Sequence, residues 1–237
     1  MSCPKIYCVG DIHAKCEFIN RIKQKCEAGS HVFFLGDIGF GFDEKTDYKI
    51  YKSLDSLAKY GITVYLIRGN HDDPSYWTTE FRPVFKSKKR QDLYKDTYDK
   101  IIYVKDNTFV QIGDKKLFCL GGGVSIDRCY RKLGKTYWDN EEMIFEEPTE
   151  EIDTVLSHVG PIPPRTKENP NSILATCLIM DQNLSSDLKR EEETIHKILS
   201  KNPKHWIFGH YHHSQVFNKE STKCRVLREG EIISITA

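Results

Sequence analysis

The sequence has no run near the ~20 consecutive apolar residues of a membrane-spanning helix, which sets aside a helical membrane protein and any membrane partner. It has no Cys-x-x-Cys pair, and at 237 residues it is too long to need a disulfide framework. Its eight cysteines are therefore read as reduced thiols in an intracellular, cytoplasmic protein. The opening Met1-Ser2-Cys3-Pro4-Lys5 lacks the apolar stretch of a secretory signal and fits the same expectation. A dominant charge is missing too. Thirty-five basic side chains against 34 acidic ones leave +1, so there is no global pull toward nucleic acid or anionic lipid. No linker, low-complexity tract or internal repeat interrupts the chain, and residues 1–237 are expected to form a single domain.

What is present is 39% hydrophobic side chains, enough to fill a core, with 29% charged ones around it. The first third repeats one pattern three times. Ile6-Tyr7-Cys8-Val9, His31-Val32-Phe33-Phe34-Leu35 and Val64-Tyr65-Leu66-Ile67 are short β-forming runs. Between them, residues 14–28 and 45–60 carry apolar residues at helical spacing. Alternating β and α units predict a parallel sheet covered by helices. Further strands are expected at 101–104, at 108–112 and 116–120 around a Gly113-Asp114 turn, and at 153–157 and 205–208. A helix is expected at 187–201, followed by closing antiparallel strands near 215–218, 223–227 and 231–236. Lys86 to Arg90 reads as a solvated basic loop, and segments 74–100, 121–150 and 161–185 show no dependable pattern.

Five of the strand ends carry residues able to bind a metal: Asp11 with His13, Asp37, Asn70 with His71, His158, and His210 with His212. One such residue would be a helix cap or a turn. Five in succession would converge on the carboxyl edge of the sheet, where open α/β proteins place ligands. So many Asp and His side chains together need cations to neutralise and coordinate them. The set fits two divalent ions. Asp37 has two oxygens and can span both. Asn70 adds a neutral amide oxygen. Mixed oxygen and imidazole donors suit Mn, first of all, or Fe, Zn or Co better than calcium. His31, His196, His205 and His213 are read as structural or solvated residues.

The blocks Gly10-Asp11-Ile12-His13, Gly36-Asp37, Gly69-Asn70-His71-Asp72, Ser157-His158 and Gly209-His210-Tyr211-His212 resemble the calcineurin-like metallophosphoesterase superfamily in composition and order. The triple glycine at 121–123 with Ser125, Asp127 and Arg131, then Trp138 and Glu141, is similar to a bacterial and phage branch of predicted phosphoesterases. The resemblance implies an α/β four-layer α/β/β/α sandwich, with two packed mixed β-sheets flanked by helices. It implies that Asp11, His13 and His212 hold one metal, that Asn70, His158 and His210 hold the other, and that Asp37 bridges them. It further implies a metal-bridging hydroxide attacking phosphorus in line, with His71 as general acid, and Asp72 is a candidate to orient the His71 ring.

The family's phosphatases usually continue Gly-Asp into a stretch ending in Asp-Arg-Gly. Here Gly36-Asp37 runs on as Ile38-Gly39-Phe40-Gly41-Phe42-Asp43, without arginine. Arg128 and Arg131 are the replacement candidates for gripping phosphate, and Arg68 is a weaker one. The expected partner is a small phosphorylated substrate or a nucleotide, with phosphoprotein and nucleic acid left open. The competing reading is a non-catalytic metal-binding scaffold of the same fold.

Overall fold

The computed structural model describes residues 4–78, 95–163 and 172–235. The basic run Lys86 to Arg90 lies outside them. Eleven strands are present among the described residues: β1 (Ile6–Val9), β2 (His31–Leu35), β3 (Thr63–Ile67), β4 (Ile101–Tyr103), β5 (Thr108–Ile112), β6 (Lys115–Leu120), β7 (Thr154–Ser157), β8 (His205–Phe208), β9 (Gln215–Lys219), β10 (Thr222–Val226) and β11 (Ile232–Ser234). The helices are α1 (Cys16–Lys25), α2 (Glu44–Lys59), α3 (Ser172–Met180) and α4 (Leu184–Leu199). None of them is long and apolar enough to cross a membrane.

The strands form two mixed sheets, ordered β11-β1-β2-β3-β4 and β5-β6-β7-β8-β10-β9. Strand alternation explains how they stack. Ile6 and Cys8, Phe33 and Leu35, and Tyr65 and Ile67 point into a core shared with Leu117, Cys119, Leu156 and Ile207 of the second sheet. The alternate residues Val9, Val32, Phe34, Val64 and Leu66 pack on Ile19 and Ile22 of α1 and on Ile50, Leu54 and Leu57 of α2. On the far side, Val155, Trp206 and Phe208 meet Ile195, Ile198 and Leu199 of α4. Three cores between four layers make an α/β/β/α sandwich. Strands apolar on both faces are what a sheet buried on both faces requires.

Local chemistry sets the element ends. Asp43 caps α2 by accepting from the Lys45 and Thr46 amides. The β5–β6 hairpin turns on Gly113, at φ 58°. One expected pairing differs. β10 is antiparallel to β9 but parallel to β8, between the two. Its Thr222, Cys224 and Val226 are buried, which suits an inner strand, whereas mostly exposed β9 takes the edge. α3 lies in a segment that showed no dependable pattern, because it carries no charged residue and its apolar residues do not keep to one face, which leaves no helical periodicity. The seven described cysteines are free thiols. Cys129 and Cys177, far apart in sequence, bring their sulfurs to 3.6 Å.

Phe33 is fully buried between the sheets and stacks on Tyr65 with ring centroids 4.4 Å apart. Phe33→Ala is expected to cost about 3–5 kcal/mol in urea unfolding. A loss below about 1 kcal/mol would contradict the two-sheet core.

Candidate metal centre

The strands β1, β2 and β3 of one sheet and β6, β7 and β8 of the other run parallel within their sheets. Their carboxyl ends meet edge to edge, and small residues permit the approach. A Cβ on Gly36 would sit 2.3 Å from His158 Nδ1, one on Gly69 2.1 Å from Asp37 Oδ1, and one on Gly209 2.1 Å from Asp11 Oδ1. Each glycine thus makes room for a metal-binding candidate from another loop. The backbone is strained at the same places. His13, Asp37, His210 and His212 all adopt positive φ, between 43° and 66°. Non-glycine residues there cost about 1–3 kcal/mol each and persist only when the surroundings fix them. Here the Ile12 and His13 amides both donate to the Asp37 carbonyl, at 3.2 and 2.8 Å.

Two groups of donor atoms result. In the first, one atom each from Asp11, His13, Asp37 and His212 lie within 4.8 Å of one another. His13 Nε2 stands 3.0 Å from His212 Nε2 and 3.8 Å from Asp37 Oδ2, and His212 Nε2 stands 3.1 Å from Asp11 Oδ2. In the second, His158 Nε2 is 2.9 Å from Asn70 Oδ1, 3.2 Å from Asp37 Oδ1 and 3.3 Å from His210 Nδ1. Asp37 therefore presents one oxygen to each group.

The surrounding hydrogen bonds orient these donors. His158 Nδ1 donates to the Leu35 carbonyl at 2.8 Å, so its Nε2 lone pair faces the site. Asn70 donates its amide to Ser125 Oγ at 2.9 Å, and Ser125 donates to Glu141 at 2.9 Å, which leaves Asn70 Oδ1 turned inward. His158 Nε2 then faces the oxygens of Asn70 and Asp37, acceptor against acceptor. A cation converts that contact into coordination, and the donor set fits one.

Electrostatics agree with this fit. Burial lowers His13 to about 4 and His210 to about 3, so both are neutral imidazoles at neutral pH. Burial acts upward on Asp11, but the hydrogen bonds from His212 and from the His210 amide act downward and the carboxyl comes to about 2. Asp37 is pushed well up by burial and by the charges of Asp11 and Asp72. A carboxylate so disfavoured as an anion has most to gain from a bound cation.

The other candidates separate. His71 projects into the same cavity, with Arg131 against it: Nη1 lies 2.9 Å from His71 Nδ1 and Nη2 2.7 Å from Nε2. Burial first, then Arg131, lowers His71 to about 2. Asp127 holds Arg131 through Nε at 2.7 Å. Asp72 does not reach the His71 ring. Its carboxylate accepts from the Ile38, Gly39, Phe40 and Gly69 amides at 2.6–3.1 Å, which fixes the loop after Asp37. Arg128 is drawn out of the cavity by Asp181 and Asp187, both at 2.5 Å, and lines a separate cleft. Arg68 braces the site from behind, bonded to Asp106 and to the carbonyls of Glu141 and Glu142. Two carboxylates had no signal in the sequence. Glu229 takes Lys15 at 2.6 Å and stands 3.6 Å from His212 Nδ1. Glu191 lines the cavity and accepts from the Val124 amide at 2.7 Å.

A model of the calcineurin-like phosphoesterases matches residues 4–214. The chain belongs to that family. No curated protein matches it. Among solved structures it is similar to the phosphopantetheinyl hydrolase of Mycobacterium tuberculosis, at 14% identity over 96% of this chain and 90% of that one, with a TM-score of 0.49. It is also similar to a putative 5'-nucleotidase from Staphylococcus aureus, at 13% identity over 98% of this chain and 50% of that one, with a TM-score of 0.47. Members of this phosphoesterase family work with metals, and the Asp/His cluster is this chain's candidate site.

Glu141 offers a pH test of the support beneath Asn70. Burial raises it from 4.5 to about 8, so folding favours its protonated form. That contribution is complete below pH 4.5 and is lost as pH rises through about 8. Under chelator, Glu141→Gln is expected to gain about 2–4 kcal/mol on the parent between pH 5 and pH 8.5. A pH-independent difference in denaturant unfolding would rule this out.

Proposed function

We propose that the protein hydrolyses phosphate esters with two divalent cations, one held by Asp11, His13 and His212 and one by Asn70, His158 and His210, with Asp37 shared. The observation that carries this reading is the Asp37 carboxylate, whose Oδ2 lies 3.8 Å from His13 Nε2 and whose Oδ1 lies 3.2 Å from His158 Nε2. Manganese is the first choice for this donor set, with iron, zinc or cobalt as alternatives. Such a pair, when bound, supplies a water of lowered pKa and positive charge for the phosphoryl oxygens.

The chain's own residues do the remaining work. Arg131 offers Nη1 and Nη2 beside the cavity and grips the phosphoryl group there, the role that an Asp-Arg-Gly arginine has in related phosphatases. His71 protonates the departing oxygen. In the free site its imidazolium is disfavoured by burial and by Arg131. An anionic ester beside Arg131 offsets that charge and raises the proton affinity of His71, so proton and substrate arrive together. Asp72 acts at a distance, by holding the Ile38–Phe40 turn that follows Asp37. A small phosphate ester is the favoured substrate.

The first test pairs metal analysis of the purified protein with hydrolysis of an aryl phosphate and an aryl phosphodiester under added Mn²⁺. Turnover that Asp37→Asn abolishes supports the reading; bound metal without turnover on a broad ester panel supports a scaffold instead. His71→Ala is expected to keep its metal and lose about 10²–10⁴-fold on alkyl esters, where the leaving oxygen needs a proton. On activated aryl esters the loss stays below about tenfold, since that leaving group departs without help. Equal losses on both would remove His71 as general acid.

A further inference from the structure

The cavity that contains the donor atoms of His13, Asp37, Asn70 and His210 extends well beyond them. It encloses about 1110 Å³, the scale of a site for a sizeable organic ligand rather than for a phosphate group alone. Val124, Ile126, Ile162, Leu174, Leu178 and Leu188 are among its lining side chains. Val124 lies beside Ser125, the acceptor of the Asn70 amide, so this aliphatic surface begins next to the metal-binding residues. Leu174 and Leu188 join Val124 in the small cluster that seats α3 on α4.

The helix α3 is unusual for one at a surface. It reads Ser-Ile-Leu-Ala-Thr-Cys-Leu-Ile-Met, with no charge. Thr176 is the polar residue among its exposed positions, and its last three side chains are apolar and open to water: Leu178 is 39% exposed, Ile179 83% and Met180 54%. Ile162, on the same cavity, is 61% exposed. A helix facing water normally turns polar residues outward, as α4 does beside it. Single exposed apolar residues are ordinary, but Ile162 and Leu178 line the cavity that holds the candidate metal-binding atoms, together with Val124, Ile126, Leu174 and Leu188, and an apolar wall at such a site marks a binding surface.

We propose that the ester's alcohol portion is a long aliphatic chain lying along α3, so that the protein takes amphiphilic phosphate esters. This rests on the phosphoesterase reading for the position of the phosphate. The occupant is a chain of the substrate, because Leu174, Leu178 and Leu188 line the same cavity as the metal-binding atoms. A nucleobase is disfavoured. Tyr211 is the one Phe, Tyr or Trp among the described lining residues, and its hydroxyl is bonded to the Gly160 carbonyl, whereas base recognition relies on stacked rings.

The test uses ethyl-, butyl-, hexyl- and octylphosphonate, whose P–C bond a phosphoesterase does not cleave, titrated calorimetrically into the Mn²⁺-loaded protein. Full burial is worth about fourfold in affinity per methylene. A half-open trough is expected to give about twofold, hence roughly 60-fold from ethyl to octyl. Joint Ile162→Asn and Leu178→Asn substitution, at positions already exposed, flattens the series, and Leu178→Met preserves it. A dissociation constant independent of chain length overturns the proposal, as does a slope unaltered in the double variant; α3 would then be a surface for a protein partner. The two readings fail separately. A steep series without turnover of any ester sinks the hydrolase reading and keeps the aliphatic site. Aryl phosphate hydrolysis with a flat series does the reverse.

Discussion

A buried carboxylate caught between two sets of imidazoles is the constraint on which this structure depends. Asp37 is 2% exposed, its backbone is forced to a φ of 48°, and its side chain faces donor atoms on both sides. Nothing in an ordinary core would favour that state. Burial and the neighbouring Asp11 and Asp72 both oppose the anion. The arrangement persists because the Ile12, His13 and His71 amides, the bare Gly69 and the four-amide clasp of Asp72 leave the loop no alternative. Strain and unfavourable charge at one point, held by well-satisfied surroundings, are what a preformed cation site would cost the fold, and they mark this cluster as the candidate.

The sandwich supplies the rigidity this requires. Two sheets share the Phe33–Tyr65 core, so the ends of β2 and β7 are fixed relative to each other. Leu35 and His158 are consequently close enough to hydrogen-bond. Behind Asn70, the relay through Ser125 to Glu141 selects which amide atom faces inward, and Arg68 locks that region to the end of β3 by holding the carbonyls of Glu141 and Glu142. Candidate ligands from five strand ends are thereby aimed by side chains set behind them.

Much of this was legible in the sequence, for identifiable reasons. Short β-forming runs ended in glycine and then Asp, Asn or His, and a parallel sheet collects such ends on one edge. The strands showed because β1, β2 and β3 are apolar on both faces. Helix α3 did not, because its apolar residues are spread around the helix and mark no periodic face. The parallel placement of β10 follows from sheet order, which local pattern does not encode. At the site, spacing pointed to the residues but not to their neighbours. Arg128 and Arg131 looked alike in sequence. Asp181 and Asp187 turn one away, and Asp127 holds the other against His71. Asp72 follows His71 directly, yet its carboxylate is taken up by amides 3 to 34 residues away. Glu229 and Glu191 arrive through tertiary packing alone.

Electron paramagnetic resonance of the Mn²⁺-loaded protein tests the shared carboxylate most directly. The account predicts two bound ions per chain with the signature of an exchange-coupled pair, replaced in Asp37→Asn by the spectrum of isolated ions. A single ion per chain, or two ions without coupling in the unaltered protein, would contradict it.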